Sequence, residues 1–366
     1  MKILHIAPLW ETVPPPAYGG TEAVVSLLVE EMVKRGHDVT LWASGDSKTS
    51  ARLQSCYPRS LRTARDIEFK PVYSWQHCAL ALKDARRYDI VHNHAGEEVM
   101  AMSHLVPEVP MLTTMHCLIT PDTKFVWDHY EGYYNTISWA QRRAMQELAS
   151  GKFVGVVYNP IDVESFPFQE KKEQHLLFLA RIAREKGPHL AVEVARRTGR
   201  RLLMAGKVDD ADRDFFHTVV EPLIDGDRVA FLGEANGVMK RELYKNASCV
   251  LAPITWEEPF GLVMAEAQAC GTPVVAFNQG AAPEVVWHEI TGFVVETLDE
   301  MVEAVNRVGE IDPHACRAWV KQQFDAPLIA DRYLRLYDRI LERATPRATP
   351  ASSALSAGTT APHMVA

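Results

Sequence analysis

Short apolar runs recur along the chain at 3–7, 39–43, 90–92, 111–115 and 153–157, and again at 176–180, 202–205, 229–232, 250–254 and 274–277. Each is apolar at consecutive positions, as strands buried on both faces are. Between them lie stretches with helical spacing, such as 23–34, 190–197 and 263–269. Alternating strand and helix predicts parallel sheets joined by right-handed crossovers. About ten strands divide naturally into two sheets, because the alternation breaks at 157–167, where two prolines and the pair Asn159-Pro160 suggest a hinge. The charged run 169–174 follows, and the β-α pattern then restarts. Residues 324–343 read as a final helix with Leu328, Tyr333, Leu336, Tyr337 and Ile340 on its apolar side. The Ala-, Thr-, Pro- and Ser-rich segment 344–366 has too little apolar surface to offset its ordering entropy and is expected to be a disordered tail.

The length of 366 residues fits two domains, and 47% hydrophobic residues suffice for a core in each. A net charge of -8 argues against nucleic acid as a partner, although a local basic site for an anion stays open. The six cysteines show no C-x-x-C spacing, so neither a zinc site nor a dithiol motif is indicated. Several lie in apolar surroundings, which fits a reducing compartment. The amino terminus does not read as a signal peptide, and no apolar run is long enough to span a membrane. The expected location is cytoplasmic, with peripheral membrane contact through a few scattered residues left open.

Three segments carry candidate chemistry. The loop at 8–20 after the first strand is long, rich in Pro and Gly, and ends in Gly19-Gly20. It reads either as a tight surface turn or as backbone that approaches a phosphate at a helix start. At 178–188, a buried strand runs into Arg181, Arg184 and Lys186 before Pro188. Arg and Lys at a strand-to-helix junction suit an anion, with Arg184 the weakest of the three. At 256–273, a strand leads to Glu257-Glu258-Pro259-Phe260-Gly261-Leu262 and a helix carrying Glu266. Free amides at that helix start suit phosphate or sugar oxygens. Glu266 lies among Met264, Ala265, Ala267 and Ala269, so its carboxylate should be buried and need a partner.

The spacing Glu258-x7-Glu266, with Pro-Phe-Gly-Leu between and Gly-Thr-Pro-Val-Val after, resembles the retaining glycosyltransferases of family 4, also called glycosyl transferases group 1. Tyr18-Gly19-Gly20-Thr21-Glu22 resembles that family's first glycine loop, and Gly36-His37-Asp38-Val39 its Gly-His-acid-Val turn. Its two histidine-bearing strand ends are matched by Asp89-Ile90-Val91-His92-Asn93-His94 and Thr113-Thr114-Met115-His116. The linker Tyr158-Asn159-Pro160-Ile161-Asp162 resembles its Asn-Gly-Val-Asp, with Pro in place of Gly. The likeness runs over roughly residues 2–343. Ala180 before Arg181 and Gly280-Ala281 before Pro283-Glu284 depart from the usual glycines.

This resemblance implies the GT-B fold: α/β, two doubly wound Rossmann-like domains facing each other across a cleft. Residues 1–163, completed by the helix 324–343, would form the acceptor-side domain, and residues 164–323 would bind the donor. The expected activity is transfer of a sugar from a nucleotide-diphosphate sugar to an unidentified acceptor hydroxyl, with retention of configuration. By the same resemblance Arg181 and Lys186 bind the diphosphate, Glu266 the ribose and Glu258 the donor sugar. Phe260, Gly261 and Leu262 support sugar and phosphate through backbone groups. Gly20 approaches the diphosphate, and His116 lines the sugar pocket. Tyr18 and His94 are candidates for the acceptor side; Trp10 and Tyr18 could stack on a sugar or simply pack. The nucleotide sugar is a substrate, so no cofactor is expected. The D-x-D runs at 210–212 and 225–227 read as loop acids, and no essential metal is expected. A sugar-nucleotide epimerase of the same architecture and a nucleotide-sugar-binding protein without turnover are the alternatives.

Overall fold

The structure, a computed structural model, describes residues 1–17, 19–145, 148 and 151–344. Tyr18 and nearly all of the expected tail lie outside the described residues. Two wholly parallel sheets account for the described strands. The first holds β1 (Lys2–Ile6), β2 (Asp38–Trp42), β3 (Arg52–Gln54), β4 (Ile90–Asn93), β5 (Met111–Met115), β6 (Tyr133–Thr136) and β7 (Lys152–Val156), in the order 3-2-1-4-5-6-7. The second holds β8 (Leu176–Leu179), β9 (Leu202–Ala205), β10 (Val229–Phe231), β11 (Cys249–Ala252), β12 (Val274–Phe277) and β13 (Gly292–Val295), in the order 10-9-8-11-12-13. Apolar clusters cover both faces of each sheet, so each is doubly wound, as the GT-B fold requires. The strand order reverses between β1 and β4 and between β8 and β11. Open α/β sheets bind ligands outside the carboxyl ends of strands at such points.

Three strands escape the apolar-run reading, each for a physical reason. β3 is a three-residue edge strand, Arg-Leu-Gln, with little buried surface. β6 reads Tyr-Tyr-Asn-Thr, yet Asn135 and Thr136 are fully buried, because Thr114 and Tyr333 bond Asn135 and the Thr136 hydroxyl donates to the Ser138 carbonyl. β13 begins at Gly292, where a Cβ would stand 2.0 Å from the Val274 carbonyl oxygen.

The expected helix 324–343 also needs correction. Phe324 ends one helix (Pro313–Phe324), and a new one runs from Ala326 to Ala344. The intervening Asp325 is extended and bridges Ile161. Ile161 N donates to Phe324 O at 2.7 Å, and Ala326 N donates to Ile161 O at 2.9 Å. The chain therefore crosses between the sheets twice, side by side.

The helix Ala326–Ala344 packs on the first sheet, not the second. Ile329, Tyr333, Leu336, Tyr337 and Ile340 recur at helical spacing and join the core beneath β1 and the helix Gly20–Lys34. Its tyrosines also close a buried polar network. Asn135 Nδ2 donates to Tyr333 Oη at 3.3 Å, and Thr114 Oγ1 donates to Asn135 Oδ1 at 2.8 Å. His92 Nε2 lies 2.7 Å from Thr114 Oγ1, and His92 Nδ1 lies 2.5 Å from Tyr337 Oη. Since the Thr114 hydroxyl proton goes to Asn135, His92 Nε2 must donate. Its Nδ1 then accepts from Tyr337. Removing that donor strands a buried acceptor, at a cost of about 1–3 kcal/mol. Tyr337→Phe should therefore lower the melting temperature by a few degrees while leaving the far-ultraviolet dichroism unchanged; an unaltered melting temperature would contradict the network.

Candidate functional site

A cavity of about 380 Å³ lies between the carboxyl ends of the two sheets. Gly19, Gly20, His116 and Asn159 line it from the first sheet's side, and Arg181, Lys186, Glu258, Glu266 and residues 259–262 from the other. Residues named from three separate sequence segments thus share one wall-to-wall space. Asn159 is buried, and its Oδ1 has no partner among the described residues.

The 256–266 segment is built around its glycines. Gly261 has φ 82 and caps the helix Leu262–Ala269; a Cβ there would stand 2.4 Å from the Met264 methyl carbon. Among the described residues no side chain caps this helix; Met264 N donates to Gly261 O at 3.0 Å, and the amides before it face the cavity end of the helix. Gly280, at φ 54, backs onto Glu258: an added Cβ would lie 2.2 Å from the Glu258 nitrogen. The glycine that matters in the departing Gly280-Ala281 pair is therefore present. Ala281 N donates to Glu258 O at 2.9 Å, and alanine is tolerated there.

Arg181, Lys186, Glu258 and Glu266 each face a counter-charge, whereas Arg184 lies over the Phe215 ring, 4.6 Å from its centre. Lys186 Nζ pairs with Glu258 Oε2, which also accepts from Trp256 Nε1 at 2.8 Å. Arg181 Nη1 donates to Asp212 Oδ2 at 2.5 Å, and Nη2 to Glu185. Glu266 is buried, as its apolar neighbours suggest: Lys240 Nζ lies 2.6 Å from Oε1 and Tyr244 Oη 3.0 Å from Oε2. Asp212 belongs to the run 210–212 read as loop acids; its work in the structure is to hold Arg181. Asp225, in the other run, accepts the backbone amides of Asp227 and Val229 at a turn. Sequence reading missed Asp212, Lys240, Tyr244 and Trp256, whose spacing follows no pattern until the chain is folded.

His94 departs from its expected place on the acceptor side. It is buried, does not line the cavity, and hangs between His116 and His5. Trp10 is exposed, with Lys70 Nζ 5.0 Å from its ring centre.

Two ties cross between the sheets' domains. Glu284 receives the backbone N–H groups of Trp139 (2.8 Å) and Ala140 (2.5 Å) at the start of the helix Trp139–Ala144, where a carboxylate is favoured. Tyr158 Oη donates to the same carboxylate at 3.0 Å. From that helix, Gln141 Nε2 donates to the carbonyls of Met115 (3.1 Å) and Cys117 (3.0 Å), on either side of His116. Arg62 makes the second tie, to Glu11 on its own side and to both oxygens of Glu234 opposite, at 2.9 and 3.0 Å.

Glu22, one turn into the helix behind Gly20, is 5% exposed. Burial, with the Glu11 charge adding to it, raises its pKa to about 7. At about 1.4 kcal/mol per unit, ionising it in the folded chain costs about 3 kcal/mol. The folded protein therefore holds this proton more tightly than the unfolded chain, and stability falls as pH rises from the ordinary carboxylate range through 7. Glu22→Gln should raise the melting temperature by a few degrees at pH 8, with the gain shrinking toward pH 5; equal gains at both would contradict it. The buried histidines act oppositely. Burial lowers His5 to about 3, His77 and His116 to about 4, and His92 and His94 well below their ordinary value. Their contribution is complete above about pH 6.5 and is lost as pH falls, because the unfolded chain takes up their protons.

Comparison with known proteins agrees with this geometry. Residues 18–165 match Glycosyltransferase Family 4, and residues 161–323 match Glycosyl transferases group 1. An uncharacterized glycosyltransferase of Methanocaldococcus jannaschii is 26% identical over 84% of this chain and 89% of its own length. The D-inositol 3-phosphate glycosyltransferase of Mycolicibacterium smegmatis is 26% identical over 92% and 89%. The crystal structure of AviGT4, a glycosyltransferase involved in avilamycin A biosynthesis, superposes with a TM-score of 0.72 at 25% identity, covering 94% of this chain and 98% of that one. With both halves matched in order, and two parallel sheets facing one cavity, the chain belongs to the GT-B glycosyltransferases of family 4, group 1.

Proposed function

We propose that this glycosyltransferase moves a hexose from a nucleoside diphosphate sugar to an acceptor hydroxyl, with retention of anomeric configuration and without a metal. The observation that carries the reading is the single cavity shared by Gly20, His116, Arg181, Lys186, Glu258, Glu266 and the 259–262 turn. Arg181 and Lys186 bind the diphosphate, exchanging part of their carboxylate pairing for phosphate oxygens. The free amides at 261 and 262 and the close backbone of Gly20 add neutral donors. Glu266, held by Lys240 and Tyr244, takes the ribose hydroxyls. Glu258 and His116 address the transferred sugar.

In the reaction the acceptor oxygen bonds to the anomeric carbon as the bond from that carbon to phosphate breaks. The acceptor proton passes to the departing phosphate on the same face. Negative charge grows on the leaving diphosphate, where pre-placed cations and amides stabilise it most. Glu258 positions the sugar and offsets its positive charge. Residues 1–163 with the last helix form the acceptor side, and residues 164–323 the donor side. No helix of the described residues is long and apolar enough to cross a membrane. A cytoplasmic enzyme, with nucleotide sugar drawn from solution, fits that.

A thermal-shift screen of nucleoside diphosphates and their sugars should identify the donor as the ligand that raises the melting temperature, since binding only the folded state stabilises it. With that donor and its acceptor, Glu258→Ala and Arg181→Ala should each lower kcat/KM by at least about a hundredfold, with melting profiles intact. Full activity in both variants would end this reading.

A further inference from the structure

Behind His116 the side chains stand in single file. His116 Nε2 is 3.0 Å from His94 Nδ1, His94 Nε2 is 3.1 Å from His5 Nδ1, and His5 Nε2 is 3.2 Å from the sulfur of Met32. The file has a structural origin. His5 is on β1, His94 follows β4 and His116 follows β5, three strands adjacent in the sheet; Met32 comes down from the helix Gly20–Lys34. Burial keeps all three imidazoles neutral at physiological pH.

A neutral imidazole has one N–H and one lone pair. Each contact in the file therefore needs one donor and one acceptor, and the direction of one contact fixes all the others. Met32 supplies that direction, because a thioether can only accept. His5 Nε2 must carry the hydrogen, which leaves His5 Nδ1 to accept from His94 Nε2. His94 Nδ1 then accepts from His116 Nε2. The Nδ1 atom of His116, which has no partner among the described residues, is left as a lone pair. The reverse order would press two lone pairs together at His5 and Met32 in a buried place. His92 lies against His94, ring centres 3.8 Å apart, but does not interrupt the file, since Thr114 and Tyr337 occupy both its nitrogens. The same accounting disposes of a metal at His5, His92 and His94. Their nearest ligand atoms lie within 4.8 Å of one another, yet their lone pairs are already engaged.

We propose that Met32, His5 and His94 are positioning residues that hold His116 as its Nε2–H tautomer, so that the cavity is met by a hydrogen-bond acceptor at Nδ1. Resting on the reading of the cavity as a sugar pocket, this gives His116 a selective task. The sugar must offer it a hydroxyl proton, and an ether oxygen or fluorine at that position cannot serve. The imidazole touches the sugar; His94, His5 and Met32 act only through it.

Side-chain nitrogen-15 correlation spectra of the ligand-free, full-length chain at pH 7.5 test the proposal directly. Protonated and lone-pair nitrogens differ widely in shift, and single His→Gln variants assign the signals. His5, His94 and His116 should all be Nε2–H. Met32→Leu and His5→Leu should each admit the Nδ1–H form of His116. His5→Asn, whose Oδ1 replaces the acceptor, should restore the original tautomer. In the transfer assay, His5→Leu should cost about tenfold in kcat/KM, the scale of one hydrogen bond, and His5→Asn should recover most of it. An Nδ1–H His116 in the native protein would overturn the proposal. So would an unchanged His116 tautomer in Met32→Leu, a mild substitution that remains informative if His5→Leu fails to fold. Because the spectra are read without substrate, this outcome is separate from that of Glu258→Ala.

Discussion

Where the chain crosses between its two sheets, the backbone of Ile161 is hydrogen bonded to Phe324 and Ala326. The rest of the molecule depends on this pairing. Two parallel sheets each present their ligand-binding ends in one direction only, so a cleft exists only if those ends face each other. A single flexible linker would leave their orientation open. Two crossings bonded side by side hold the two passages of the chain together. The second crossing also carries the last helix back to the first sheet, where Tyr333 and Tyr337 complete hydrogen bonds that the first half of the chain cannot satisfy alone.

The charges that line the cleft are balanced within it. Cations lining a partly buried cavity would be costly to leave bare. The structure pairs them with carboxylates instead: Lys186 with Glu258, Arg181 with Asp212 and Glu185, Lys240 with Glu266. Each pair keeps its members in place for a ligand and leaves enough polarity to exchange. An anion entering the cavity would have to compete with these internal acids. In return the site stays organised without a ligand. Glu22 shows the complementary device, a carboxyl whose hold on its proton is strengthened by burial close to the helix start at Gly20.

Much of the architecture was legible along the chain because it rests on local signals. Consecutive apolar residues marked the strands buried on both faces, and Asn159-Pro160 marked the first crossing between the sheets. Gly261 before Leu262 marked the helix start that faces the cavity. The spacing of Glu258 and Glu266 named the family, since both hang from one short segment whose geometry is local. What failed did so where stability is shared with distant residues. β6 carries Asn135 in a buried strand only because Thr114 and Tyr333 meet it. The end of the helix at Phe324 is set by pairing with Ile161, 163 residues earlier.

The sequence by itself determined two parallel α/β halves, a cation-bearing strand-to-helix junction at 181–188 and an acid-bearing loop at 256–266, because propensity, spacing and backbone freedom act over a few residues. Only the tertiary structure decided what each charged or titratable group faces. It made Asp212 the partner of Arg181, placed His94 behind His116 and off the cavity lining, and set Met32 at the end of the histidine file. Partner identity and burial depend on which surfaces meet, and that is fixed by packing across the whole chain rather than by any stretch of it.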